Sequence, residues 1–298
     1  MESNTRSGIH RQNLAGSLWM IAAMGAFAIE DAFVKVATKT LPIGEVLILF
    51  GLGGMLIYIG VLRLNREPLF IPDVLSRPML IRVVFEVTGR LFYVLAIALI
   101  PLSVATVILQ ATPLVVVAGA VLVFGEKVGW RRWVAIIMGF LGVIVIVQPG
   151  TAGFSELSLL AIIGMIGFAG RDLASRAAPA TIGTSRLGLY GFLAVVVSGV
   201  LYIIWADTPL VIPEREASLA LLGGIMFGVV AYSCLMKAMR TGEVSAVTPF
   251  RYSRLFFGMA LGLLLFDEVL TPAILIGSTL IVMSGLFITW RGKRRKTA

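Results

Sequence analysis

Apolar runs cover nearly the whole chain, each broken by a glycine, a proline or a charge. They delimit ten segments: Leu14 to Thr38, Pro42 to Leu62, Met79 to Leu99, Leu102 to Phe124, Trp133 to Val147, Leu157 to Arg176, Gly183 to Trp205, Ala217 to Met239, Ser245 to Phe266 and Ala273 to Trp290. A helix needs about 20 apolar residues to cross a bilayer core, so ten spans fill the 298 residues and leave only short turns between them. The predicted fold class is an all-α membrane protein of ten transmembrane helices. The polar stretch Met1 to Asn13 ahead of a long apolar run predicts a retained first helix rather than a cleaved signal peptide.

Composition sharpens this picture. Hydrophobic residues make up 58% and charged residues only 14% of the chain, and the mean hydropathy is +0.98, far from the mixture of a soluble domain. One cysteine, Cys234, excludes a disulfide framework or a cysteine metal cluster, and the one histidine, His10, falls in the polar N-terminal tail. The sequence therefore offers no catalytic nucleophile with its base, no HExxH pair, no metal site and no cofactor-binding motif. It also has no GxxxxGK[ST] loop for direct drive by ATP. A hydrolase built on carboxylates alone, on Glu30 or Asp172, is the remaining enzymatic alternative.

The net charge of +9 does not point to nucleic acid, because the cations follow the turns. With the N-terminus cytoplasmic, the inside loops and tails hold Arg6, Arg11, Arg63, Arg66, Arg77, Arg82, Lys127, Arg131, Arg132, Arg176, Arg186, Lys237, Arg240, Arg291, Lys293, Arg294, Arg295 and Lys296. Only Lys39 and Arg215 fall outside. That asymmetry predicts a bacterial inner-membrane protein with both termini in the cytoplasm. Trp205 and Trp290, at span ends, read as interface anchors.

Shifted by 142 residues without a gap, the chain matches itself. Phe85, Val87, Ala96, Ser103, Thr106, Ala118, Leu122, Phe124 and Glu126 meet identical residues at 227, 229, 238, 245, 248, 260, 264, 266 and 268, and Glu30 meets Asp172. Five spans per copy place the copies upside down relative to each other, an architecture that puts a substrate site near the midplane. The expected division is residues 1–148 and 149–298, two inverted five-helix repeats integrated around one central cavity.

The stretch from Ala96 to Val147 joins a small residue before a short turn, Pro113 in the following helix, Glu126 at that helix's end and a glycine-rich last helix. It resembles the repeat of the drug/metabolite transporter superfamily in its EamA-type branch. The second copy, Ala238 to Trp290, keeps Glu268 but carries its proline earlier, at Pro249. Within the superfamily the chain looks most like bacterial exporters of aromatic and other amino acids. The resemblance implies a basket in which spans 1, 3, 4, 6, 8 and 9 line the cavity and spans 5 and 10 pack at the edge, where Gly139, Gly142, Gly277 and Gly285 give small surfaces for close packing.

Charges inside spans identify the candidate site, since each costs a few kcal/mol unless it faces the interior with a partner (about 2.5–3.5 on insertion scales). Asp31 with Lys35, Glu86 with Arg90, and Asp172 with Arg176 are spaced for local i,i+4 pairing, while Glu30 and Arg171 need partners elsewhere. Arg251 and Arg254 have no acid one turn away, and their repeat counterparts are Leu109 and Thr112. Two readings stand for them: at least one forks onto a substrate carboxylate, or they bridge to Glu30, Asp31 or Glu86. The expected substrate-binding set is Phe27, Glu30, Glu86, Arg90, Tyr93, Gln110, Arg171, Asp172, Tyr232, Arg251, Tyr252 and Arg254, with Pro113 and Pro249 as hinges. Mixed charges among aromatic rings suit an amino acid. The function expected is a secondary transporter, an amino-acid exporter working by alternating access. The alternatives are another metabolite or drug class, such as a nucleoside or polyamine, and then a membrane-embedded enzyme or a channel. The expected partners are a small-molecule substrate and the lipid bilayer, without nucleic acid. The direction of transport, proton coupling and the oligomeric state stay open, a monomer being one option.

Overall fold

A computed structural model describes residues 2–125, 129–148, 155–179, 181–241 and 247–294, with side chains except those of 2–10, 132, 239–240, 248 and 288–294. Glu126, Lys127, Ser245, Arg295 and Lys296 lie outside the described residues. So do the side chains of Arg6, His10, Arg132, Arg240, Thr248, Trp290, Arg291, Lys293 and Arg294.

The described residues form α-helices and 3₁₀ turns. In chain order they are α1 (Glu2–Ala37), α2 (Ile43–Leu64), α3 (Arg77–Leu99), α4 (Leu102–Leu109), α5 (Thr112–Phe124), α6 (Trp130–Val147), α7 (Ser158–Ala177), α8 (Thr184–Ala206), α9 (Arg215–Thr241), α10 (Ser253–Phe266) and α11 (Pro272–Arg294). A 3₁₀ turn, Pro72–Leu75, precedes α3, and another, Thr248–Tyr252, leads into α10. Six stretches are long and apolar enough to cross a membrane by length and composition: Arg11–Ala37, Ile43–Leu64, Leu102–Phe124, Ser158–Ala177, Thr184–Ala206 and Arg215–Ala238. The others depart from that pattern for visible reasons. Helix α3 carries Arg82, Glu86 and Arg90, while α6 and α11 contain the shorter apolar stretches Trp133–Val147 and Pro272–Phe287.

The inverted repeat is written in the element boundaries. Adding 142 to the last residues of α2, α3 and α5 (Leu64, Leu99, Phe124) gives the last residues of α8, α9 and α10 (Ala206, Thr241, Phe266). Packing obeys the same relation: α1 lies on α9 and α3 on α7, two contacts that exchange under the repeat. The pairs α2 with α8 and α6 with α11 each join an element to its own counterpart, and the contact of α4 with α10 joins span 4 to its counterpart, span 9. The architecture is ten transmembrane helices in two inverted five-helix repeats around a central cavity.

Small residues let these pairs close. A Cβ on Gly167 of α7 would stand 2.4 Å from the Gly89 Cα on α3, and one on Gly142 of α6 would stand 2.7 Å from the Gly277 carbonyl oxygen on α11. Gly139 faces Leu114 and Ser284, and Gly285 faces Tyr252, so all four predicted glycines sit at close approaches. The repeat mate of the Gly142–Gly277 contact is Ser284 with Ala135, and the Ser284 hydroxyl donates to the Ala135 carbonyl there. Such contacts replace the hydrophobic drive that helices in lipid lack. The outside is an apolar girdle that includes Leu56, Leu122, Ile204 and Leu264, and Trp205 is exposed at the end of α8, fit for an interfacial anchor.

Span 4 is two helices. At Gln110 and Ala111 the bonding tightens to three-residue steps, Ala111 N–H to Ile108 O at 3.0 Å and Leu114 N–H to Ala111 O at 2.9 Å. Pro113 follows this break at the first turn of α5; having no N–H, it leaves Leu109 O, four residues back, to the Thr112 hydroxyl, which donates to it. Pro249 likewise heads a 3₁₀ turn. The break between that turn and α10 falls at Tyr252 and Ser253, the repeat counterparts of Gln110 and Ala111. The interruptions are therefore equivalent although the prolines are not.

Gly167→Val is expected to cost about 1–3 kcal/mol by overpacking α3 against α7, read as a lower midpoint in thermal unfolding of the detergent-solubilised protein. Gly60→Ala, with nothing within 4 Å of the new Cβ, is expected to leave the midpoint unchanged or raise it.

Candidate substrate cavity

A cavity of about 550 Å³ occupies the middle of the bundle. Its wall runs from Glu30, Arg90 and Leu109 at mid-depth to Arg82, Arg176 and Leu187, which lie close to the start of α3, the end of α7 and the start of α8. Those three ends share the face of the bundle that carries both chain termini, called here the termini face; the opposite one is the far face. Among the described residues, the lining extends toward the termini face and includes none of the helix ends at the far face.

All twelve residues expected from the sequence line this cavity: Phe27, Glu30, Glu86, Arg90, Tyr93, Gln110, Arg171, Asp172, Tyr232, Arg251, Tyr252 and Arg254. Pro113 lines it too, whereas Pro249 does not. Spans 1, 3, 4, 6, 8 and 9 contribute wall, as the resemblance implies. Span 7 contributes as well, through Leu187, Gly191, Phe192 and Val195 of α8, and Gly285 brings in span 10.

The charges pair across helices. Neither Asp31 with Lys35 nor Glu86 with Arg90 forms the local pair that the spacing allows. Arg90 instead reaches Glu30 at 2.7 Å, with its guanidinium 4.7 Å from the Phe50 ring centre. Arg254 reaches Asp31 at 2.6 Å, where the Tyr93 hydroxyl donates at 3.0 Å, and its guanidinium lies 5.0 Å from the Phe27 ring centre. Asp31 Oδ1 and Arg254 Nε have no other partner among the described residues. Of the two sequence readings for the arginines, the bridge holds for Arg254.

The second network joins α3, α7 and the 3₁₀ turn. Arg171 gives two hydrogen bonds to Asp172 Oδ1, at 3.0 and 2.8 Å, and one to Glu86 at 3.3 Å. Arg82 meets Glu86 at 3.3 Å and donates to the Ser175 hydroxyl at 2.9 Å. Asp172 thus pairs with Arg171 and Arg251 in place of Arg176, which lies over the Phe124 ring at 5.1 Å. Arg251 is the loosest member, 3.7 Å from Asp172 Oδ2, and these two side chains are 30% and 24% exposed. Gln110 holds the turn in place by donating to the Arg251 carbonyl at 2.9 Å, tying the break in span 4 to that before α10.

Two cations counted with the loops are corrected. Arg82 is buried in α3, and its signal was Glu86 one turn on, inside a span that already began at Met79. Arg186 is buried at the start of α8, donating to Pro68 O at 2.9 Å and pairing with Glu67 at 3.1 Å; it straps the α2–α3 loop to span 7.

A helical bundle with inverted halves, discontinuous spans and an ion-lined cavity open to one face is a membrane carrier fold. Residues 14–148 and 157–290 each match the EamA-like transporter family, and the chain belongs to that family, within the drug/metabolite transporter superfamily. It is 27% identical over 300 residues to a riboflavin transporter of Vibrio cholerae, covering 97% of each chain. It is 28% identical over 277 residues to a pseudopaline exporter of Pseudomonas aeruginosa, covering 91% of this chain and 94% of that one. An S-adenosylmethionine uptake transporter of Rickettsia prowazekii is 25% identical over 206 residues, 69% of each. A solved crystal structure at 19% identity superposes with a TM-score of 0.65 over 96% of this chain and 98% of its own, which shows the fold. The protein is a multi-pass membrane transporter of small metabolites.

Removing one partner of a buried ion pair costs about 3–5 kcal/mol, because the other charge is stranded. Arg254→Gln is therefore expected to lower the thermal midpoint sharply, and the double change Asp31→Asn with Arg254→Gln to recover much of the loss. A double variant no better than the single would show that the pair does not carry the cost.

Proposed function

We propose that the protein exports amino acids by alternating access, lying in the bacterial inner membrane with both termini cytoplasmic, and that it is a carrier rather than an enzyme. The observation that carries this reading is the open pair of Arg251 and Asp172. Among the described residues, the guanidinium–carboxylate pairs Arg82–Glu86, Arg90–Glu30, Arg171–Glu86, Arg171–Asp172 and Arg254–Asp31 are closed to between 2.6 and 3.3 Å. Here one carboxylate oxygen is engaged by Arg171, the other faces Arg251 across 3.7 Å, and both side chains are part-exposed. A zwitterion fits such a gap. Its carboxylate forks onto the Arg251 guanidinium, its ammonium group takes Asp172 Oδ2, and its side chain meets rings such as Phe27 and Tyr232 that line the cavity.

Arg251 takes over the anchoring role that the sequence offered equally to Arg254. The rest of the expected set act as wall and as counter-charges that keep the cavity in place. Residues 1–148 and 149–298 form the two repeats, and one chain encloses the cavity, in keeping with a monomer. The wall opens toward the termini face, so this conformation is inward-facing when the termini are cytoplasmic. The breaks beside Pro113 and after Pro249 are the points at which spans 4 and 9 flex to reverse it.

A second reading has an observation of its own. The cavity volume also admits larger organic metabolites, and the relatives are named for riboflavin, S-adenosylmethionine and pseudopaline. Uptake of a panel of radiolabelled amino acids into proteoliposomes separates the two. Saturable uptake is expected, with KM raised about 10–100-fold in Arg251→Gln, the worth of a lost charge-assisted hydrogen bond. Uptake unchanged by that substitution would remove Arg251 from the seat, and no uptake of any amino acid by folded protein would favour the larger metabolites.

A further inference from the structure

The far face is closed by contacts outside the cavity wall. Lys35, near the end of α1, donates to the carbonyls of Ile97 and Ile100 at 2.8 and 2.7 Å, the C-terminal end of α3. Glu268, just after α10, accepts from the backbone N–H of Leu102 at 2.5 Å and of Ser103 at 2.9 Å, the first turn of α4. Between these two helix ends lies only the corner Ile100–Pro101, and the lysine and glutamate stand 3.8 Å apart across it. Each charge has the sign that its helix end favours: a cation where α3 leaves its carbonyls unbonded and an anion where α4 leaves its amides unbonded.

The approach of Glu268 is built into the backbone. Asp267 before it adopts φ 50°, a left-handed conformation uncommon for a residue other than glycine. This turns the chain back so that the Glu268 N–H bonds Gly262 O at 3.1 Å. Its repeat mate is Gly125, at φ 64°. The aromatic floor is also duplicated. Lys35 and Lys39 lie 5.4 and 5.3 Å from the Phe266 ring centre, and the repeat mate of Phe266 is Phe124, with Arg176 over it on the termini face.

We propose that Lys35 and Glu268 are positioning residues of the transport cycle: they clamp the α3–α4 corner to α1 and to the α10–α11 turn and hold the far face shut. This rests on the alternating-access reading. Opening the far face requires the four clamp hydrogen bonds to break, and the freed helix ends then meet water at the new opening, which satisfies them. The clamp therefore favours one face without making the other inaccessible.

The test reads sidedness and needs no substrate. Val195→Cys, in the cavity wall of α8, is placed in a Cys234→Ala chain and reconstituted into vesicles sorted by protection of a C-terminal tag. A membrane-impermeant maleimide is then applied from each side. The parent is expected to label from the termini face. Added Lys35→Met or Glu268→Gln is expected to speed labelling from the far face about tenfold, whereas Lys35→Arg, which keeps the donors, labels as the parent does. Glu268→Gln keeps a carbonyl oxygen for the amides and decides the matter if Lys35→Met does not fold. Folded clamp variants with no gain in labelling from the far face would overturn the clamp. Rapid labelling of the parent from both faces would overturn alternating access with it. A failed amino-acid uptake assay touches neither result.

Discussion

A guanidinium or carboxylate inside a bilayer has no water to solvate it, so it must find an opposite charge and enough hydrogen bonds or unfold the segment that carries it. Nine such groups pair in and around the wall: Glu30, Asp31, Glu86 and Asp172 against Arg82, Arg90, Arg171, Arg251 and Arg254, with Asp31 standing behind the lining. Their pairing joins the helices. Arg90 on α3 holds α1 through Glu30, Arg254 on α10 holds α1 through Asp31, and Arg171 on α7 holds α3 through Glu86. The cavity exists because these pairs span it, and the apolar contacts of α2 with α8 and of α6 with α11 brace it from outside.

The same constraint divides the labour among the pairs. Asp31 and Glu30 have side chains only 1% exposed, so their arginines are committed to structure. Arg251 sits on a 3₁₀ turn rather than on a packed helix, and its carboxylate partner is already satisfied on one oxygen by Arg171. A loosely held cation beside a half-free carboxylate is the place where a substrate's own charges can take part at little cost. At the far face the helix ends, rather than a substrate, supply the counter-charges for Lys35 and Glu268. On the reading proposed above, substrate seat and closure are separate electrostatic systems at different depths.

Much of this was legible in the sequence. Apolar runs bounded by glycine, proline or charge gave the ten spans, the 142-residue offset gave the inverted halves, and all twelve candidate residues line one cavity. The pairing was not legible, because i,i+4 spacing describes a helix in isolation. In the bundle a partner on another helix approaches head-on, which is how Lys35 is drawn to Glu268, Asp31 to Arg254 and Glu30 to Arg90. Arg82 and Arg186 were hidden by proximity to predicted loops, where an arginine that anchors a span looks the same as one that marks topology. The exact place of the break in span 4 was not legible from Pro113 alone. It falls at the Gln110–Ala111 step, where Gln110 also bonds the Arg251 carbonyl, a contact between the two halves that one segment read alone cannot show.

The central claim is that the two inverted halves trade access between faces. Spin labels at Lys39 and Thr271 on the far face, and at their repeat mates Thr181 and Gly129 on the termini face, measured by double electron–electron resonance in lipid with and without a transported substrate, test it directly. The account predicts opposite changes: as a population with a longer Lys39–Thr271 distance appears, the Thr181–Gly129 distance shortens in the same proportion. Distances that lengthen together, or one that moves while its mate stays fixed, would contradict it.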